Sequence, residues 1–396
     1  MGRILFAWEL GANLGHLTRD LPLARSCTSE GHAVTWAVSK LNAARSFLAN
    51  EPCTILQAPL LAPVKQPPLP INYAAMLLAE GYINGNNLAN AVRDWLKLID
   101  LVQPDVLVYN HAPTALLAAR IAGLPTLLCG TGFEIPPARS TLPSFRPWLK
   151  ISSAEHLGSE RQLLAIINNL LCSFNQPPLP RLAALFHMNR PQLTTFSQLD
   201  PFGPRAEADY IGPLYALPNV PGASWTSHGK KRVLAYLRPT VPGIEILLGE
   251  MNALEAEIIC AVPGMPEHWP ARYSRLRLFP HPLALDSLLP TTDLMISYGA
   301  TTICTALLAG VPVLAVPQVI EQFLSGLPLE RLGAGLMLRN QRTPQICATL
   351  LHEMLTNSIY QAAARQFSER HKSHTTATSL TQIMQQLRTI LKGISR

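Results

Sequence analysis

A chain of 396 residues, 48% of them apolar and only 14% charged, carries enough apolar surface for two cores of ordinary size and is excluded from the disordered class. The net charge of +7 comes from dispersed Lys and Arg residues without a nucleic-acid-binding motif, so a nucleic-acid partner is excluded and the basic surface suits small anions or membrane headgroups. The most apolar stretch, "TALLAGVPVLAVPQVI", is broken by Gly310, Pro312 and Pro317 and falls short of the ~20 apolar residues of a membrane helix.

In chain order, the first half alternates a strand "RILFAW", a helix from about His16, strands "HAVTWAV" and "CTILQ", a long helix near 86–102, a strand "DVLVY", a helix "APTALLAARIAG" and a strand "PTLLC". Strands separated by helices predict βαβ units and a parallel sheet with right-handed crossovers. Two loops rich in Pro and aromatic residues, 58–72 and 130–148, follow strands of this half and are long enough to be binding loops. A stretch of Pro, Gly, Ser and Asn over 212–229 reads as a linker. A second alternation follows: "RVLAYL", "AEIICAV", "RLRLF", "DLMIS", "VPVLAV" and "AGLML".

The expectation is an α/β protein of two Rossmann-like, doubly wound domains facing a central cleft: 1–215, a linker at 216–230, a second domain at 231–375, and a C-terminal helix at 376–396 that packs back across the linker. Apolar residues at helical spacing in "ATSLTQIMQQLRTILKGI" support that helix, a weak peripheral membrane contact being the lesser alternative. Cys27, Cys53, Cys129, Cys172, Cys260, Cys304 and Cys347 are single and odd in number, which suits reduced thiols and a cytoplasmic protein. Glu9 interrupts the first apolar run too early for a signal peptide.

The segment "WELGANLGHLTRDLPLAR" near the start and "TDLMIS" through "ALLAGVPVLAVPQVIEQ" near the end resemble the bacterial GT-B glycosyltransferases of the macrolide and UDP-glucuronosyl transferase type. The resemblance runs over essentially the whole chain. It implies an inverting, metal-independent transfer of a sugar from a nucleoside diphosphate donor, UDP or dTDP, held by the C-terminal domain, to a small-molecule or lipid-like acceptor held by the N-terminal one. It implies no cofactor besides the nucleotide sugar as co-substrate. Oligomeric state is not legible.

His16 follows Gly11 and Gly15 at the start of the first helix and matches the family's catalytic His. A general base near neutral pH must take the acceptor proton as the hydroxyl attacks the anomeric carbon, and imidazole suits that task. Where the family has an Asp that orients this His, "DVLVYNHAP" offers Asn110, which can accept an imidazole N–H but adds no negative charge. Glu9 or His111 is the expected source of that support; both are also expected to contact the acceptor, along with Tyr73, Phe133 and Trp148.

The donor site is expected around residues 296–322. A strand ends at Ser297, a turn with Tyr298 and Gly299 follows, and a helix opens near Thr301 and Thr302, whose free N–H groups suit a diphosphate. The family's phosphate-binding His is replaced by Ser297 or Tyr298 and its sugar-binding Glu by Thr305, so Arg238 in "LRPT" is the expected substitute cation. Glu321 and Gln322 match the family's pair on the sugar hydroxyls, and His281 lies in the loop that clamps the base. No His, Cys or acidic spacing predicts a metal site. Two other readings stay open: a degenerate transferase retained as a binding or activating partner, favoured by the altered turn and Asn110, and a sugar-nucleotide epimerase.

Overall fold

The structure, a computed structural model, describes residues 1–11, 14–67, 69–216, 220–339 and 341–394. Residues 217–219 of the expected linker, Pro68 of the first long loop and 395–396 of the tail lie outside the described residues. The chain divides into two compact units, one of Met1–Thr194, Pro204–Ala216 and Thr376–Arg396, the other of Thr195–Gly203 and Leu217–Thr375.

The first unit runs β1 (Arg3–Trp8), α1 (Gly15–Ser29), β2 (Ala33–Val38), α2 (Leu41–Phe47), β3 (Thr54–Gln57), α3 (Tyr73–Leu77), α4 (Gly85–Val102), β4 (Val106–Asn110), α5 (Pro113–Ala122), β5 (Thr126–Gly130), α6 (Ser153–Ser173), β6 (Gln192–Leu193) and β7 (Asp209–Tyr210). Its strands form a parallel sheet in the order β3-β2-β1-β4-β5-β6-β7. Helix α6 and the short strands β6 and β7 lie beyond the alternation expected from the sequence. Strands β1 and β4 are buried on both faces, which is why they read as unbroken apolar runs.

Strand order reverses between β1 and β4, and Trp8 pairs in register with Asn110 at their carboxyl ends. In a doubly wound sheet such a switch point is where ligands bind. Helix α1 contains Pro22, which cannot donate to the carbonyl of Thr18; the backbone N–H of Ala216 does so instead at 2.8 Å.

The second unit runs β8 (Lys231–Tyr236), α7 (Ile244–Ala253), β9 (Ala256–Ala261), α8 (Trp269–Arg272), β10 (Leu276–Phe279), β11 (Leu294–Ser297), α9 (Ala300–Leu308), β12 (Val313–Ala315), α10 (Ile320–Arg331), β13 (Gly335–Met337), α11 (Pro344–Thr356) and α12 (Ser358–Arg370). Its parallel sheet has the order β10-β9-β8-β11-β12-β13, with its own switch point between β8 and β11. The last helix, α13 (Thr376–Ile394), belongs to the first unit and buries Ile383, Met384 and Leu387 in the core that also holds Leu17 and Leu21 of α1. Among the described residues no helix is long and apolar enough to cross a membrane.

Candidate active site

In the first unit, the switch point gathers a buried polar cluster. His16 lies in the first turn of α1, and Arg19 and Asp20, three and four residues on, share its face of the helix. All three are at most 7% exposed. Asn110, fully buried at the end of β4, ties them together: its Oδ1 lies 2.7 Å from His16 Nδ1 and accepts from Arg19 Nη2, while its Nδ2 donates to Asp20 Oδ2 at 2.6 Å and to the His16 carbonyl at 3.0 Å.

These partners leave one orientation for the amide. Its nitrogen must face the two acceptors and its oxygen must face the guanidinium, so the proton in the His16–Asn110 bond belongs to His16 Nδ1. The Nε2 of a neutral His16 then carries the lone pair. Burial is the main cause that holds the His16 pKa below the ordinary imidazole range, so the neutral form prevails at neutral pH.

The backbone at Gly11 passes over that nitrogen. A Cβ at position 11 would stand 2.3 Å from His16 Nε2, and φ there is +88°, so glycine alone both fits the turn and leaves room for the His16 ring. Gly11 also lines a cavity of about 230 Å³ together with Leu10, Ser39, Lys40, Glu80 and Tyr82. Leu60, Leu61 and Pro63, from the first of the two long loops, complete that wall.

The negative charge beside His16 comes from neither expected partner, Glu9 or His111. Glu134, on the second long loop after β5, is 1% exposed and places Oε1 3.6 Å from His16 Nδ1, while its Oε2 accepts from Arg19 Nη1 at 2.5 Å and from the Thr131 N–H at 3.1 Å. Glu9 is committed elsewhere: its two oxygens accept the N–H groups of Thr114 and Ala115 at 3.0 and 2.6 Å, capping the open N-terminus of α5, although it also touches the cavity. Burial pushes the Glu9 pKa up to about 8.

His111 is 4% exposed with φ of +50°, and its ring lies 6.1 Å from those of His16, Tyr73 and Phe133. Neither ring nitrogen has a hydrogen-bond partner, and burial lowers its pKa to about 3, so it stays uncharged. His16, His111 and Glu134 each bring one potential ligand atom within 4.8 Å of the others.

Tyr73 and Phe133 do not line the cavity at Gly11. Both are 2% exposed and packed in an aromatic cluster, and the Tyr73 hydroxyl donates to the Glu134 carbonyl at 3.2 Å, alongside Tyr109 at 2.7 Å. Trp148 is 47% exposed and also lies outside that wall. Sequence reasoning missed Arg19, Asp20 and Glu134. Helical spacing from His16 points to the first two; nothing local points to Glu134.

In the second unit, Gly299 caps α9 without a side-chain bond to the helix's first N–H groups. Ser297 is 1% exposed with no partner for its hydroxyl, and Thr301 and Thr302 are half-buried in the first turn. Arg238, two residues beyond β8, lies beside the Tyr298 hydroxyl and partly offsets the burial that raises its pKa, because β8 and β11 are neighbours across the second switch point. The expected substitute cation therefore stands beside the altered turn.

Thr305 does not replace the missing carboxylate, since its hydroxyl donates back to the Thr301 carbonyl at 2.9 Å. Gln322 is 7% exposed and spends its Oε1 on the Gln318 N–H at 2.8 Å, so it offers only its amide nitrogen, whereas Glu321 is half-buried in the first turn of α10. His281 is half-buried, with Nδ1 3.1 Å from the Pro282 carbonyl.

Residues 245–387 match the model of the family described as "Erythromycin biosynthesis protein CIII-like, C-terminal domain". A PGL/p-HBAD biosynthesis glycosyltransferase of Mycobacterium tuberculosis (strain ATCC 25177 / H37Ra) is 24% identical over 400 residues, which cover 93% of this chain and 88% of the relative. Among solved structures, glycosyltransferase VinC in complex with DTDP superposes with a TM-score of 0.69 at 16% identity, covering 98% of this chain and 99% of that one. The spinosyn rhamnosyltransferase SpnG complexed with spinosyn aglycone gives 0.67 at 18% identity, covering 97% and 100%.

Two parallel α/β units with these neighbours define the GT-B class. Over nearly its whole length the chain is similar to proteins that are glycosyltransferases.

Proposed function

We propose that the protein is an inverting, metal-independent glycosyltransferase that moves a sugar from a dTDP- or UDP-linked donor to a hydroxyl of a small or lipid-like acceptor. The observation that carries this reading is the fixed tautomer of His16. With Nδ1–H given to Asn110, Nε2 is a lone-pair acceptor against Gly11, which lines the cavity, and can take the acceptor proton as the oxygen attacks the anomeric carbon. The new C–O bond forms on the face opposite the departing diphosphate, which leaves with the electron pair of the bond it loses.

The second unit holds the donor in this reading. The uncapped first turn of α9 supplies N–H groups and the positive end of a helix dipole, Ser297 supplies a hydroxyl, and Arg238 supplies a fork of charged donors for the diphosphate. Glu321 and the Gln322 amide nitrogen serve the sugar hydroxyls. The dTDP bound by VinC and the aglycone bound by SpnG support a donor and an acceptor of these kinds.

Charge balance supports independence from a metal. The guanidinium of Arg19, bonded to Glu134, already places a positive charge where His16, His111 and Glu134 converge, which disfavours a divalent cation there. The test is transfer from a panel of UDP-, dTDP- and GDP-sugars to phenolic, macrolide and lipid hydroxyl acceptors, with and without a chelator. Inverted product formed from a UDP- or dTDP-sugar at an undiminished rate under chelation is expected. Nucleotide-stabilised protein that yields neither transfer nor donor hydrolysis would contradict the reading.

A further inference from the structure

We propose that Glu134 is the positioning carboxylate of His16, supplying from the loop after β5 the negative charge that the resembled family places at the end of β4. The inference rests on the reading of His16 as the base. When His16 Nε2 takes the acceptor proton, the imidazolium that forms faces Glu134 Oε1 at 3.6 Å across buried surroundings, where a charge pair is weakly screened. The proton stays on His16; Glu134 remains ionised and stabilises the charge without accepting it.

Three observations fix Glu134 for this task. Its Oε2 is committed to Arg19 and the Thr131 N–H, which leaves Oε1 to face the imidazole. Its carbonyl is anchored by the hydroxyls of Tyr109 and Tyr73, so the loop cannot withdraw the side chain cheaply. Gly130 leaves the necessary space, since a Cβ there would stand 2.6 Å from Oε2.

The same geometry explains why position 110 is an amide. An aspartate at 110 would set an oxygen in place of Nδ2, 2.6 Å from Asp20 Oδ2 and 3.0 Å from the His16 carbonyl, three acceptors with no proton between them. It would also put a third carboxylate around the single guanidinium of Arg19. With Asn110 the cluster keeps two carboxylates, and the one nearer His16 is Glu134. Of the other groups in the cluster, Arg19 opposes Glu134 in part, Asp20 acts through Asn110, His111 is uncharged, and burial keeps the thiol of Cys129, a neighbour of Arg19 and Asp20, protonated.

The test follows the His16 imidazole resonances of histidine-labelled full-length protein through a pH titration, without substrate. In Glu134→Gln the apparent His16 pKa should fall by about one unit or more, the low end of what an opposite charge at this distance commands. Glu134→Asp, which keeps the charge, should restore most of the difference. In transfer assays Glu134→Gln should lower kcat with little change in donor KM and move the acid limb of the rate profile to lower pH.

A folded Glu134→Gln protein with an unchanged His16 titration would overturn the proposal. Should that variant fail to fold, the carboxyl carbon resonance of Glu134 in glutamate-labelled wild-type protein, assigned with Glu134→Asp, carries the test. If Glu134 faces the imidazole and supplies the charge, that resonance shifts with the apparent pKa of His16; a Glu134 resonance indifferent to the protonation of His16 would overturn the proposal. Since the titration is read without turnover, failure here leaves the base assignment standing, whereas wild-type transfer by His16→Ala would remove the base assignment itself.

Discussion

Asn110 holds His16 Nδ1 at 2.7 Å through an amide whose other end is locked on Asp20 at 2.6 Å, so the tautomer of the candidate base is set by a residue that carries no charge. Orientation and electrostatic support, usually combined in one aspartate, are divided here between Asn110 and Glu134. Asn110→Asp should therefore not improve the enzyme. The introduced carboxylate would face Asp20 in a fully buried site, and stability at neutral pH should drop by about 3 kcal/mol, the scale of an uncompensated buried charge. Thermal or urea unfolding against the wild type checks this, and the deficit should shrink in acid, where the two carboxylates can share a proton.

Gly11→Ala should act on the base directly. The added methyl would occupy the space over His16 Nε2, and the left-handed backbone at φ of +88° would be strained as well. Transfer should fall by about 10²-fold, as expected when reacting groups are displaced by an ångström or so, while nucleotide binding in the second unit is retained. Steady-state rates together with nucleotide calorimetry separate the two effects.

The sequence carried the fold and part of the site. Alternating apolar runs and helical patterns marked β1 through β5 and β8 through β13, most plainly in central strands such as β4, β5 and β11, which are buried on both faces of a parallel sheet. His16 was legible from the glycines before it, and Arg238 from its place after β8. Arg19 and Asp20 were legible in principle, at helical spacing from His16. Glu134 was not, because it lies 115 residues from Arg19 in a loop of irregular conformation, where no periodicity says which way a side chain points. Glu9 misled for a related reason: a carboxylate in the loop of the base can equally cap a neighbouring helix, as it does for α5.

His111 makes stability depend on pH. Its pKa falls from 6.5 to about 3 on folding, so between these values the unfolded chain binds a proton that the folded protein does not. Stability from this group is complete above pH 6.5 and is lost as pH falls toward 3, at up to about 1.4 kcal/mol per pH unit. His111→Asn, which tolerates the left-handed φ of +50°, should flatten the decline in urea-unfolding free energy between pH 6.5 and 4.5 relative to the wild type. Parallel declines in the two proteins would contradict the assignment.

Arg238→Gln should weaken nucleotide diphosphate binding by roughly tenfold or more, the loss expected for one charge-assisted hydrogen bond. The remaining affinity should depend less steeply on salt, since a charge has been removed from the site. Calorimetry with dTDP and UDP at two ionic strengths checks both effects.

The central claim is that His16 takes the acceptor proton. Its most direct test is His16→Ala, with transfer rate and nucleotide affinity measured on the same protein. Transfer should fall by about 10²-fold to 10⁴-fold, the contribution of a positioned general base, while dTDP or UDP binds as in the wild type. Transfer at the wild-type rate, with nucleotide binding intact, would contradict it.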